Sequence, residues 1–312
     1  MTINRNNIAK ELIPGLNAVL GMEYGKIDDQ HTKIYDIENS KRSFEEETMF
    51  TGLGTAPVKN EGSGVAYDEM QETYTARYQH ETIALAFAIT EEAMEDNLYD
   101  TFSKARAGAL GRSMANTKQI KAVYPFNNGF ATTNFALGDG AAFFSASHPT
   151  VGAGNQSNTG GAVDLSETTL QTAYNDITFY RDERGILINA IPEMLLIPPA
   201  LRFTAFKILK SDLSTTTATN STTGVTNVND VNALRAMGFF PKGMTVNQRL
   251  TDTNAWFIRT NVPNGTKMFV RKPLQATMEG DFDTGNMRYK ARERYSFGVS
   301  DFRQWYGASG SS

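Results

Sequence analysis

Cysteine is missing altogether from this 312-residue chain. Its absence excludes disulfides, thiolate nucleophiles and cysteine-based metal sites, and suits a reducing compartment. Histidine is scarce: His31, His80 and His148 are the three, and none has a second histidine or a carboxylate pair at metal-ligand spacing. Positive charge is not in excess either. Thirty Lys+Arg against 34 Asp+Glu leave a net −4, so a globally basic footprint for coating nucleic acid is excluded. No apolar run approaches the roughly 20 residues of a membrane-spanning helix. The most hydrophobic stretch, MLLIPPAL at 194–201, is interrupted by Pro198 and Pro199. The polar start MTINRNNIAKE holds no signal-peptide core.

Catalytic motifs are equally sparse. Gly52-Leu53-Gly54, Gly138-Asp139-Gly140 and Gly152-Ala153-Gly154 each lack the third glycine of a dinucleotide fingerprint. Residues 238–243 have the outer spacing of a P-loop, but Met244 stands where lysine is required. Asp281, Asp283 and Thr284 resemble the start of a calcium loop without the closing Glu. No G-x-S-x-G elbow occurs. Ser145-Ala146-Ser147-His148 does set hydroxyls beside an imidazole, which keeps a hydrolase using Ser145 or Ser147 with His148 as a rival reading. A triad, however, is made by geometry and not by adjacency. No catalytic, cofactor-binding or metal residues are assigned.

What is present reads as an ordinary globular α+β chain of about two domain-sized units, 40% hydrophobic and 21% charged. Ile8, Leu12, Leu16 and Leu20 recur every four residues, suggesting a short helix that Pro14 should break or kink. This first segment is either a frayed terminus or an arm that packs on a neighbouring molecule in place of its own core. After the Gly-rich stretch 51–64, strict alternation over 74–89 predicts an extended hairpin or meander leading into a core strand. The spacing of Met94, Leu98, Phe102, Ala105 and Ala109 predicts a long helix from about Thr90 to Val123. Its acids (Glu91, Glu92, Glu95, Asp96, Asp100) precede its bases (Lys104, Arg106, Arg112, Lys118, Lys121), which matches the helix dipole.

Residues 127–164 read as a long Gly/Ser/Asn/Thr-rich connection. A second helix should start at the N-cap Ser166, with Leu165 and Leu170 as a hydrophobic staple and Gly185 after its end. Two strands, ILINAI and MLLI, should follow, then a helix opening near Pro199 with Leu201, Phe203 or Thr204, Ile208 and Leu209 on its apolar face. The Thr/Asn-rich stretch 211–230 reads as an exposed loop. Short strands are expected at 255–258 and 268–270, and the tail GASGSS should be flexible. Alternation returns at Met287–Val299. Arg288, Lys290, Arg292 and Arg294 take one face; Tyr289, Ala291, Tyr295, Phe297 and Val299 take the other, with Glu293 the exception. Tyr289 and Tyr295 point away from the bases, so base stacking is disfavoured and pairing with acids across a sheet or subunit boundary is preferred.

This order of elements resembles the major capsid proteins of tailed bacteriophages, the Hong Kong 97-type fold. The stretches that carry the resemblance are LIPGLNAVLGMEY (Leu12–Tyr24), 43–69, 75–100, FFSASHPT (Phe143–Thr150), YRDERGI (Tyr180–Ile186) and LLIPPALRFTAFKIL (Leu195–Leu209). It implies an N-terminal arm (1–45), an extended hairpin loop (46–82), a peripheral domain with a spine helix and connecting loop (83–164), an axial domain (165–265), and C-terminal strands returning to the peripheral domain (266–312). It further implies self-assembly as pentamers and hexamers into an icosahedral head in the virion, formed in the bacterial host cytoplasm. The partners implied are further copies of the chain, a portal protein, a separate scaffolding protein, a decoration protein in some cases, and packaged double-stranded DNA in weak non-specific contact. No cross-linking Lys or Asn is matched. A bacterial encapsulin shares the fold and is the nearer alternative.

Overall fold

The computed structural model describes residues 5–90, 99–220, 224–281 and 285–311, with side chains left out at 5–13, 99–102 and 214–230. In chain order the elements are α1 (Arg5–Gly25), α2 (His31–Ile34), β1 (Asp36–Asn39), β2 (Phe44–Phe50), β3 (Glu72–Gln79), β4 (Glu81–Ile89) and α3 (Tyr99–Asn127). There follow β5 (Thr159–Gly161), α4 (Glu167–Thr178), β6 (Pro192–Ile197), α5 (Arg202–Lys210), β7 (Leu213–Asn220), β8 (Gly224–Val231) and α6 (Ala233–Ala236). The last strands are β9 (Met244–Val246), β10 (Trp256–Thr260), β11 (Thr266–Gly280), β12 (Met287–Val299) and β13 (Trp305–Ala308). The chain divides into two units, one made of 1–45, 77–123 and 267–298, the other of 46–76, 124–266 and 299–312.

The first unit is a four-stranded sheet, order β1-β11-β12-β4, with two helices on one face. Leu16 and Leu20 of α1 and Ala107, Leu110 and Met114 of α3 pack on Tyr289 and Ala291 of β12. The helices approach closely because α3 has a glycine at the crossing: a Cβ on Gly111 would lie 2.7 Å from the Leu20 carbonyl oxygen. Pro14 lies inside α1 and does not end it. The second half of α1 thus packs on its own chain through Leu16 and Leu20, which corrects the expectation of an arm that packs only on a neighbour. Two apolar side chains one turn apart on α1 (Leu16, Leu20) find the matching groove of α3, and Glu23 pairs with Arg112 at 2.5 Å. The long helix is described from Tyr99; the acidic run 91–96 and the residues Met94 and Leu98 lie outside the described residues.

The second unit is built on a five-stranded sheet, order β5-β13-β10-β6-β9. One face buries Leu195, Ile197, Trp256, Ile258 and Tyr306 against Leu170, Ala173 and Ile177 of α4, Ala205 of α5 and Leu234 of α6. On α4, Ser166 accepts from the Thr169 amide and Thr169 returns the bond, while Leu165 and Leu170 are buried as a staple requires. An aromatic cluster of Phe126, Phe143, Phe144, Phe257 and Trp305 forms a second core, with ring centroids 4.2–6.2 Å apart in the contacting pairs. The 127–164 connection is therefore held by rings and not by aliphatic periodicity.

Four local expectations fail for stated reasons. ILINAI (186–191) is not a strand: Asn189 sits at φ 53°, which ends an extended run. The Thr/Asn-rich segment pairs as the hairpin β7–β8, in register from Leu213↔Val231 to Asn220↔Gly224, because β-branched threonines suit a strand as well as a loop. Tail residues Gly307 and Ala308 are a strand in the sheet, and Ser311 bonds Asp164 at 2.6 Å. Phe203 is 78% exposed, and the core side of α5 is Leu201, Ala205, Ile208 and Leu209 instead. The strand at 287–299, by contrast, falls where the alternation put it.

Gly111→Ala should lower stability by about 1–3 kcal/mol, since the α1 backbone has to move to admit the methyl. A denaturant titration that leaves the midpoint unchanged would show that the two helices do not meet at this residue.

Candidate assembly surfaces

The open face of the first sheet is basic. Arg288, Lys290 and Arg292 are exposed and Arg294 is half-buried, while Tyr289, Ala291, Glu293 and Tyr295 point inward. Register explains why no acid answers them from β4. Their partners on β4 are Ala88, Ala86, Ala84 and Thr82, so the bases stand over a floor of small side chains. Arg288 reaches Asp281 at 2.5 Å. A cleft of about 420 Å³ lies beside it, lined by Ala86, Thr277, Glu279, Asp281, Arg288 and Lys290. Glu293, out of pattern in the sequence, is fully buried and pairs with Lys118 of α3 at 2.7 Å. The Tyr24 hydroxyl donates to the same carboxylate at 3.1 Å. Burial, with the Glu293 charge, pushes the Tyr24 phenol well above its usual range.

The loop between β2 and β3 is the most exposed apolar segment. Residues 51–71 hold no regular structure, and Tyr67 (97% exposed), Val58 (91%), Val65 and Met70 face solvent. The loop and the first residue of β3 carry Glu61, Asp68, Glu69 and Glu72 against the single Lys59. Asp68 accepts from the Gly54 amide at 2.6 Å and from Arg184 at 3.0 Å, which holds its carboxyl below the usual range, the amide bond contributing most. The base of the hairpin is anchored: Tyr74 donates to the Ser300 carbonyl at 3.1 Å, and the Ser300 hydroxyl donates to Glu47 at 2.6 Å.

The hydrolase-like residues do not assemble. His148 is fully buried, stacked on Phe302 with centroids 3.8 Å apart. Its Nδ1 faces Asp139 at 2.6 Å and its Nε2 faces Asn158 Oδ1 at 3.1 Å. The Asn158 amide nitrogen is committed to the carbonyls of Phe143, Phe302 and Trp305. That fixes which end of the amide meets the imidazole, so Nε2 carries its proton and has no lone pair to take one from a serine. Ser147 Oγ instead accepts from Asn155, and Ser145 Oγ accepts from the Ser147 amide. His31 and His80 are buried in the first unit. His31 bonds Gln119 at 2.8 Å; His80 lies between the hydroxyls of Ser40 (2.8 Å) and Ser296 (3.0 Å). No cluster of metal-ligating side chains is found among the described residues, and none of their helices is long and apolar enough to cross a membrane.

Replacing His148 with Ala leaves Asp139 buried without its partner and should cost about 3 kcal/mol. Ser147→Ala should stay within about 0.5 kcal/mol of the parent. Equal thermal shifts for the two would contradict this geometry. A pH response also follows. Burial holds the His31 and His80 imidazoles below their ordinary value; Lys118 adds to this at His31, and Arg294 and Arg271 at His80, against Asp29 and Glu45. The folded state prefers both neutral, so its stability is complete above about pH 6.5 and falls as pH drops below that. Denaturant midpoints at pH 7.5 and 5.5 should differ less in His80→Gln than in the parent.

A model of the phage capsid protein family matches residues 73–308. Among solved structures, the capsid of cyanophage P-SCSP1u aligns with a TM-score of 0.55 and 9% identity, over 89% of this chain and 87% of that one. The capsid of Myoviridae phage XM1 aligns at 0.51 and 12% identity, over 88% and 89%. An encapsulin complex from Synechococcus elongatus aligns at 0.51 and 6% identity, over 90% and 86%. No curated protein sequence matches. With its Hong Kong 97-type fold and a family match over most of its length, this chain belongs to the phage capsid protein family and is a shell-forming structural protein.

Proposed function

We propose that the chain is the major capsid protein of a tailed bacteriophage, assembling as pentamers and hexamers into an icosahedral head around double-stranded DNA. The observation that carries this reading is the 51–71 loop. Five large apolar side chains that the chain leaves in water (Leu53, Val58, Val65, Tyr67 and Met70), on a segment rich in acids, gain burial only against another molecule. The open face of the first sheet offers the complement: Lys290 and Arg292 over alanines, with no acid partner among the described residues. The hairpin of one copy lying on the sheet of the next satisfies both. Within such a shell the portal, a separate scaffolding protein and any decoration protein are further partners. An overall charge of −4 suits weak contact with packaged DNA. The likeness to an encapsulin supports a second reading, a cargo-enclosing compartment.

Size decides first. The chain, expressed alone and with neighbouring genes, should give megadalton shells or capsomer rings by light scattering and negative-stain microscopy. Nuclease-protected DNA in particles from infected cells supports the head; enclosed protein cargo supports the compartment. A monomer under every condition overturns both. Lys290→Glu with Arg292→Glu should leave a folded chain with unchanged circular dichroism that does not close into shells. Normal shells from this double variant would remove the basic face from the interface.

A further inference from the structure

We infer that the outer face of α5 is a head-to-tail contact between copies of this chain, an interface that rests on the shell reading above. Phe203 is 78% exposed and Phe206 55%, and both lie opposite the side of α5 that packs on the core through Leu201, Ala205, Ile208 and Leu209. A helix apolar on both faces belongs between two layers, and the described residues supply only one. The exposed apolar surface continues in sequence past the helix. Leu213 and Val231, paired opposite each other at the foot of the β7–β8 hairpin, are 49% and 66% exposed, and Met237 after α6 is 64% exposed. This corner is fastened to α5: Asn232 donates to the carbonyl of Ser211 at 3.1 Å, and Arg235 to that of Lys210 at 2.9 Å. The Phe203 and Phe206 side chains therefore sit on a braced element and not on a loose one.

Charge selects the partner and the symmetry. Arg202, Lys207 and Lys210 surround the two phenylalanines, all exposed, and α5 holds no acid. Two copies meeting through this face about a twofold axis would set six bases around one apolar centre. The remainder of the same unit is of opposite sign: the unit carries 17 Asp+Glu against 11 Lys+Arg, a net −6. The rest of a second copy's unit thus carries net negative charge, while its own α5 repeats the basic rim. A self-complementary contact is disfavoured and a heterologous one favoured, and heterologous contacts repeated by rotation close into rings. The occupant is the corresponding unit of the next copy.

The absence of cysteine makes the test direct, because Phe206→Cys introduces the only thiol. In assembled particles that thiol should react with N-ethylmaleimide at least about tenfold more slowly than in subunits dissociated from the same particles. Thr204→Cys, exposed and about 160° around the helix from Phe206, reports reagent access. Oxidation of the Phe206→Cys particles should give no disulfide-linked dimer. Equal labelling at Phe206→Cys in particles and subunits overturns the contact, and efficient disulfide dimers overturn its head-to-tail sense. As an independent measure, Phe203→Ser with Phe206→Ser should keep the parental circular dichroism and melting curve yet fail to form rings or shells; normal assembly by this variant also overturns the contact. A parent chain that never leaves the monomer overturns the shell reading itself, and this contact with it.

Discussion

Asn158 is fully buried, and both ends of its side chain are engaged. Its nitrogen donates to the carbonyls of Phe143, Phe302 and Trp305, and its oxygen accepts from the Ser145 amide and from His148. These bonds tie the long 127–164 connection to the last strand of the chain. They orient His148 on Phe302, and next to that ring Arg303 is held by Glu183 at 2.7 Å, Asp301 at 3.2 Å and the Arg181 carbonyl at 2.7 Å. Burial raises the Asp301 carboxyl above its usual range even beside that guanidinium. Each polar group in this region depends on the next being in place, because an unpaired member at such depth costs more than the bond it would have made. The aromatic cluster packs around this framework, and the hairpin foot at Glu47 and Tyr74 bonds to Ser300, only one residue from Asp301.

How much of this was legible in the sequence depends on the range of the forces involved. Helix α4 announced itself because its signals are local: a cap at Ser166, a staple from Leu165 to Leu170, a stripe every three or four residues. The strand at 287–299 was legible for the same reason, since alternation needs no knowledge of the partner. Asn158 was not. Nothing within ten residues of it hints at carbonyls 144 and 147 residues away. The Ser145–His148 cluster misled in the converse way. Neighbours in sequence looked like chemistry, but the imidazole is held by Asp139 and Asn158 instead of by either serine.

Helix α5 shows a different limit. Its sequence is apolar around most of its circumference, so periodicity alone does not say which side faces the core. Phe203 looked like a core residue and lies outside, while Ala205, which the spacing did not single out, is fully buried. The assembly surfaces were legible only by half. The basic face of β12 could be read from alternation, but its floor of alanines depended on the β4 register, and Glu293 acquired a meaning only when Lys118 of α3 came to meet it.

The order of strands in the second unit carries a kinetic consequence. β13 lies inside the sheet between β5 and β10, so strands made early flank one made at residues 305–308. The unit itself is gathered from three separated pieces of chain. Sequence separations of this size make closure slow, and until Trp305 arrives the aromatic cluster lacks its largest ring. A nascent chain on the ribosome therefore has no finished sheet to offer a neighbour. Subunits become competent to associate only after synthesis has passed this strand, which keeps partly made chains out of a growing shell.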